Sequence, residues 1–119
     1  VSADVLAVIE HRRGEVRDVS LEVLGAARKL ADGGRVTAVL LGAPGAADKV
    51  APLCDRLVGV DDPALADYNL EPYRKTLADL VAAHAPALVL MGHTPQGLDL
   101  APALAAEGGW PLATDAVDL

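Results

Sequence analysis

The chain has 119 residues, enough for one compact domain around a single core. Hydrophobic residues make up 52% and mean hydropathy is +0.31, which excludes intrinsic disorder, while aromatics at 3% leave few rings to stack on bases or flavins. Lys and Arg total 10 against 17 Asp and Glu, a formal charge of −7 that repels phosphate backbones and anionic lipid and argues against a nucleic-acid partner.

The run Val5-Leu6-Ala7-Val8-Ile9 is apolar without alternation, as expected of a strand covered on both faces. A charged loop is predicted over residues 10–18. Ser20 then has the character of an N-cap for a helix carrying Leu24, Ala27, Leu30 and Ala31 on one face and ended by Gly33-Gly34. Residues 36–41 read as a second buried strand, closed by Gly42-Ala43-Pro44-Gly45. A short helix over residues 46–55 leads to a small strand over 57–60. Asp61-Asp62-Pro63 marks a turn, and residues 63–69 read as loop.

The clearest helix follows. Pro72 suits its first turn, Tyr73, Leu77, Leu80, Val81 and His84 share one stripe, and Pro86 blocks its continuation. Residues 87–91 form another buried strand, ending at Gly92. A polar loop, His93-Thr94-Pro95-Gln96-Gly97, leads to a helix capped by Asp99 and closed by Gly108-Gly109, with a last strand expected around residues 112–117. Two-sided apolar strands alternating with helices predict one α/β domain with a doubly wound parallel sheet. Within it, residues 5–9, 36–41, 57–60 and 88–91 adjoin one another and helices cover both faces.

No apolar run approaches the length of a membrane span, so no membrane insertion is expected. The opening Val1-Ser2-Ala3-Asp4 has no basic stretch ahead of an apolar one, so secretion is not expected, and a first residue other than Met suggests a processed or trimmed chain. Cys54 is the sole cysteine, which forbids an intrachain disulfide and points to the cytoplasm. With no His or Lys near it in sequence, and with Val50, Leu53 and Leu57 at helical spacing, it reads as a packed thiol rather than a nucleophile.

Ligands in such sheets bind beyond the carboxyl ends of strands, where strand order reverses, and the loops there are residues 10–13, 42–45 and 92–97. Gly42-Ala43-Pro44-Gly45-Ala46-Ala47 follows a strand and opens a helix, with Asp62 at the spacing of a ribose-binding acid. Pro44, however, replaces the second glycine of a dinucleotide fingerprint and offers no N–H to a pyrophosphate. Gly92, His93, Thr94, Gln96 and Gly97 make the better pocket: two glycines allow close backbone approach and polar side chains face a helix start. No Lys or Arg occurs between Gly92 and Glu107, and Asp99 at the helix start already takes the positive end, so this pocket is expected to hold no nucleotide. His11, His84 and His93 are scattered, and Asp61, Asp62 and Asp67 lack the ligand spacing of a calcium loop, so no metal is expected. Ser2 and Ser20 are the only serines and neither lies in a nucleophile elbow; no catalytic residue is assigned.

Five segments taken together resemble one family. They are Val8-Ile9-Glu10-His11-Arg12, residues 17–30 (RDVSLEVLGAARKL), residues 86–92, Thr94-Pro95-Gln96-Gly97-Leu98-Asp99-Leu100-Ala101-Pro102, and Thr114-Asp115-Ala116-Val117-Asp118. In order and spacing they resemble the N-terminal domain of the electron transfer flavoprotein alpha subunit. The resemblance implies a three-layer, Rossmann-like fold of the adenine nucleotide alpha hydrolase-like kind. It also implies a subunit of a heterodimer with an electron transfer flavoprotein beta subunit, carrying electrons from flavin dehydrogenases to an acceptor. FAD would be held by a C-terminal domain beyond Leu119, and residues 1–119 would be the scaffolding and subunit-docking domain, an electron-carrier part and not an enzyme. Leu98 and Ala103 stand where the family often has Arg, which removes cations from the 92–97 loop. The competing reading is a stand-alone adenine-nucleotide-binding domain of the universal-stress-protein kind. That class has a Gly-rich run ending in Gly-Ser or Gly-Thr, where this chain has only Gly97. A small nucleotide-dependent enzyme is disfavoured by the missing phosphate-binding cations.

Overall fold

The computed structural model describes residues 4–108 and 112–113. The first strand, β1 (Val5–Val8), is buried at every position. Two short antiparallel strands, β2 (His11–Arg12) and β3 (Glu15–Val16), come next and precede helix α1 (Asp18–Ala31). Strand β4 (Val36–Leu41) is buried throughout. Helix α2 (Ala47–Val50) is a single turn set between two 3-10 turns, Pro44–Ala46 and Ala51–Leu53. Strand β5 (Arg56–Val60), helix α3 (Leu70–His84), strand β6 (Leu88–Leu90), helix α4 (Pro95–Gly108) and strand β7 (Leu112–Ala113) complete the order.

Five strands form one parallel sheet in the order β5-β4-β1-β6-β7. The four strands expected to adjoin therefore do so, with β7 added at one edge. Counted without the hairpin strands, the order is 3-2-1-4-5, the doubly wound, Rossmann-like pattern in which the first strand lies at the centre. Alternate residues of each strand face opposite sides, and the two sides bury separate clusters. Val5, Ala7 and Ile9 face Val23, Leu24, Ala27 and Ala31 of α1, with Ala46 and Val50 beside them. Leu6 and Val8 face Tyr73, Leu77 and Val81 of α3 and Leu100 and Leu104 of α4. Helix–sheet–helix is thus the layering.

The structure revises several local expectations. Residues 10–18 are not a plain loop. Arg13 and Gly14, with φ of 50° and 88°, make a two-residue turn that folds the segment into the β2–β3 hairpin. Ser20 is not the cap of α1 but its third residue, and the N-cap position belongs to Arg17. The Ser20 side chain is buried and stitches the helix to the end of β1, accepting from the Glu10 N–H at 2.7 Å and donating to the Glu10 carbonyl at 3.0 Å. Leu30 is 40% exposed instead of buried: Ala27 and Ala31 bring α1 close to the sheet, and Leu30 lies one residue, about 100° of helix rotation, past that contact line. Residues 63–69 contain a 3-10 turn, Pro63–Leu65, that buries Leu65 under α3.

Helix α4 starts at Pro95, four residues before Asp99. Thr94 caps it, its Oγ1 accepting from the Gly97 N–H at 3.1 Å. Of the strand expected over 112–117, Leu112–Ala113 is present, and the rest lies outside the described residues, as does Gly109. No helix among the described residues is long and apolar enough to cross a membrane.

Candidate functional site at the carboxyl ends of the strands

Strand order reverses between β1 and β6: α1 follows β1 on one face of the sheet and α4 follows β6 on the other. The crevice at that point is where a doubly wound sheet receives a ligand. Here Glu10, directly beyond β1, meets Thr94, directly before α4. The Thr94 hydroxyl donates to Glu10 Oε1 at 2.6 Å, and Arg17 Nε lies 3.9 Å from Glu10 Oε2. The Glu10 side chain is only 13% exposed. Because the same Thr94 oxygen accepts the Gly97 N–H, the first turn of α4 is linked through Thr94 to a carboxylate of the chain itself. A helix start favours negative charge, and Glu10 supplies it.

Gly92 and Gly97 are buried, and they serve each other rather than open a cradle. A Cβ on Gly97 would lie 2.0 Å from the Gly92 carbonyl oxygen, and one on Gly92 would meet Val19 Cγ2 at 2.7 Å. His93 is exposed beside them, while Gln96 is half-buried and faces the hairpin. Of the five predicted pocket residues, Thr94 thus reaches the crevice through Glu10 and Gln96 lines it, whereas Gly92 and Gly97 are taken up in packing and His93 is exposed. That Glu10 and Arg17 meet this loop was not legible from sequence, because they come from the far end of the chain.

Both reasons given for an unfavourable anion pocket are revised by the fold. Asp99 is not at the helix start; it lies a turn inside α4 and accepts the Tyr68 hydroxyl at 2.6 Å. Burial, then the bond to Asp99, pushes the Tyr68 hydroxyl above its ordinary pKa. Cations are also present, supplied by the hairpin. Arg12, Arg13 and Arg17 line a cavity of about 380 Å³ together with Tyr68, Pro95 and Gln96. The hairpin is anchored over the strand ends by His11, which is buried. Its Nε2 donates to the Leu41 carbonyl and its Nδ1 accepts from the Gly14 N–H at 3.2 Å.

The Gly42 loop is also a packing device. Its φ is 71°, and a Cβ there would fall 2.2 Å from the Leu65 backbone, so the glycine admits the 63–65 turn, not a phosphate. Tyr73 is buried beneath it and donates to the Leu65 carbonyl at 2.8 Å, with burial first and the nearby Asp67 and Glu10 next pushing its pKa up to about 12. Cys54 is half-buried at the opposite end of the sheet, and desolvation raises its pKa. No group of His, Cys, Asp and Glu able to hold a metal occurs among the described residues.

The model of the electron transfer flavoprotein domain matches residues 5–119. The chain belongs to the electron transfer flavoprotein family. Its relatives include the protein FixB of Rhizobium meliloti, 39% identical over 98% of this chain and 35% of that protein. The electron transfer flavoprotein subunit alpha of Thermoanaerobacterium thermosaccharolyticum is 36% identical over 98% of this chain and 37% of its own length, and that of Bacillus subtilis 32% identical over 97% and 36%. The chain therefore spans about a third of the length of the relatives it matches. The resemblance to alpha subunits read from the five segments holds along nearly the whole chain.

Proposed function

We propose that this chain is the N-terminal scaffolding and subunit-docking domain of an electron transfer flavoprotein alpha subunit. In this reading the full-length subunit pairs with a beta subunit, and the pair carries electrons on FAD from flavin dehydrogenases to an acceptor in the cytoplasm. The observation that carries the reading is the Glu10–Thr94 contact at the strand-order reversal. A nucleotide phosphate entering that crevice would have to displace a bonded carboxylate and sit against it. An FAD pyrophosphate does not fit these residues, which supports a flavin site on the part of the relatives that this chain does not span.

Electron transfer then depends on this domain as a rigid support. Two separate apolar layers and a five-strand sheet give it that rigidity, and no step of chemistry is assigned to it. Calorimetric titration of the chain with AMP, ATP and FAD should show nothing tighter than the millimolar range, about −4 kcal/mol. The full-length subunit purified with its beta partner should be yellow and accept electrons from a flavin dehydrogenase. A full-length pair without flavin would overturn the electron-carrier reading. Micromolar ATP binding by the chain would favour the universal-stress-protein reading instead.

A further inference from the structure

We infer that the cleft between the β2–β3 hairpin and the start of α4, lined by Arg12, Arg13 and Arg17, is a docking site for an acidic segment of a protein partner. The inference rests on the docking role proposed above and adds the place and the chemistry. Three of the chain's ten cations fall within six residues of one hairpin, although the chain as a whole carries −7. The hairpin turn holds Arg12 and Arg13 exposed at the rim of a cavity of about 380 Å³, a concave shape that suits a narrow segment and not a flat surface.

These guanidinium groups are incompletely used. Arg13 Nε is 3.8 Å from Asp67 Oδ1 with the two side chains 86% and 79% exposed, and Arg17 Nε is 3.9 Å from Glu10 Oε2. Both separations exceed hydrogen-bond length, and Arg13–Asp67, exposed on both sides, is a weak pair. Among the described residues nothing pairs with the Arg12 side chain. An incoming carboxylate can therefore take a guanidinium in the forked geometry that Arg favours, displacing Asp67 at little cost.

The choice of carboxylate over phosphate follows from the surroundings. Asp67 and Glu10 already stand beside Arg13 and Arg17, so a carboxylate is the anion that these guanidinium groups meet within the chain itself. The acidic remainder of the surface turns the same partner away elsewhere, which gives orientation more than affinity. The chain's other basic region, around Arg28, Arg35 and Arg56, is shallower and more occupied: Arg28 is held by Asp55 at 2.8 Å, and Arg56 Nη1 lies 3.4 Å from His84 Nδ1.

The test uses the full-length subunit and a fluorescent hexaglutamate peptide, followed by anisotropy at low salt. Binding should weaken at least about tenfold in the double variant Arg12→Glu/Arg13→Glu, less than about twofold in Arg35→Glu, and should vanish near 0.5 M salt. Absence of peptide binding, equal losses in the two variants, or displacement of the peptide by inorganic phosphate at matched ionic strength would each overturn the inference. Flavin content of the heterodimer is read separately. Its loss overturns the electron-carrier reading and has no bearing on where the peptide binds.

Discussion

Asp55 shows how one exposed side chain can organise three elements. Its Oδ2 accepts from Arg28 Nη1 and from the Val36 N–H, each at 2.8 Å, tying the end of α1 to the start of β4 just before β5 begins. The Arg28 bond first and the Val36 bond second hold its carboxyl below the usual carboxylate range. Since the folded value is depressed, the stabilisation is present above the ordinary value of about 3.9 and fades as pH falls through the folded one. Asp55→Asn should therefore lower the urea midpoint at neutral pH, and the difference from the parent chain should shrink as the pH is lowered below the ordinary carboxylate range. Glu10 plays the corresponding role at the other end of the sheet. Glu10→Ala leaves the Thr94 hydroxyl without its acceptor and should cost about 1.5–3 kcal/mol in urea unfolding, with Glu10→Gln closer to the parent. Cys54, with its Sγ 3.6 Å from the Val50 and Ala51 carbonyls and its pKa raised by desolvation, should react with iodoacetamide more slowly than free cysteine at equal pH.

Among the elements, the buried strands were legible from sequence because two-sided cover leaves short, nearly continuous apolar runs bounded by turn residues. Residues 36–41 match β4 at both ends for that reason. The hairpin was not legible: Arg13-Gly14 is no favoured turn pair, and its strands pair over only two residues each, held by the buried His11 from below. The start of α4 was misplaced because Asp99, three residues ahead of Pro102, imitates a cap before a first-turn proline. In fact Pro102 lies inside the helix, and the carbonyl it leaves unpaired belongs to the exposed Leu98, where water can serve it. The crevice was half legible, since Thr94 and Gln96 lie in a recognisable polar loop whereas Glu10 reaches them only through the fold. Gly97→Ala tests the seating of α4: with a Cβ 2.0 Å from the Gly92 oxygen, the helix must shift, and unfolding should show a loss of roughly 1–3 kcal/mol or more.

For the whole molecule, the division of the core into two clusters means that damage on one face need not spread to the other. Leu77→Ala, in the layer under α3, should cost about 2–5 kcal/mol by urea unfolding. The near-ultraviolet signal of Tyr68 and Tyr73, whose rings meet edge-on at 5.0 Å, should change, while the Glu10–Thr94 crossing keeps α1 and α4 in register. The central position of β1 has a consequence in time. Val5 pairs with Val36 on one side and with Leu88 on the other, so a chain emerging from the ribosome can fill the first margin of β1 soon and the second only about fifty residues later. At 5–20 residues per second that is a wait of roughly 3–10 s with one margin of an apolar strand open to any neighbouring nascent chain. Stalled chains ending near residue 70 should consequently be captured by ribosome-bound chaperones far more than chains released beyond residue 95, a difference readable by cross-linking along the translation time course.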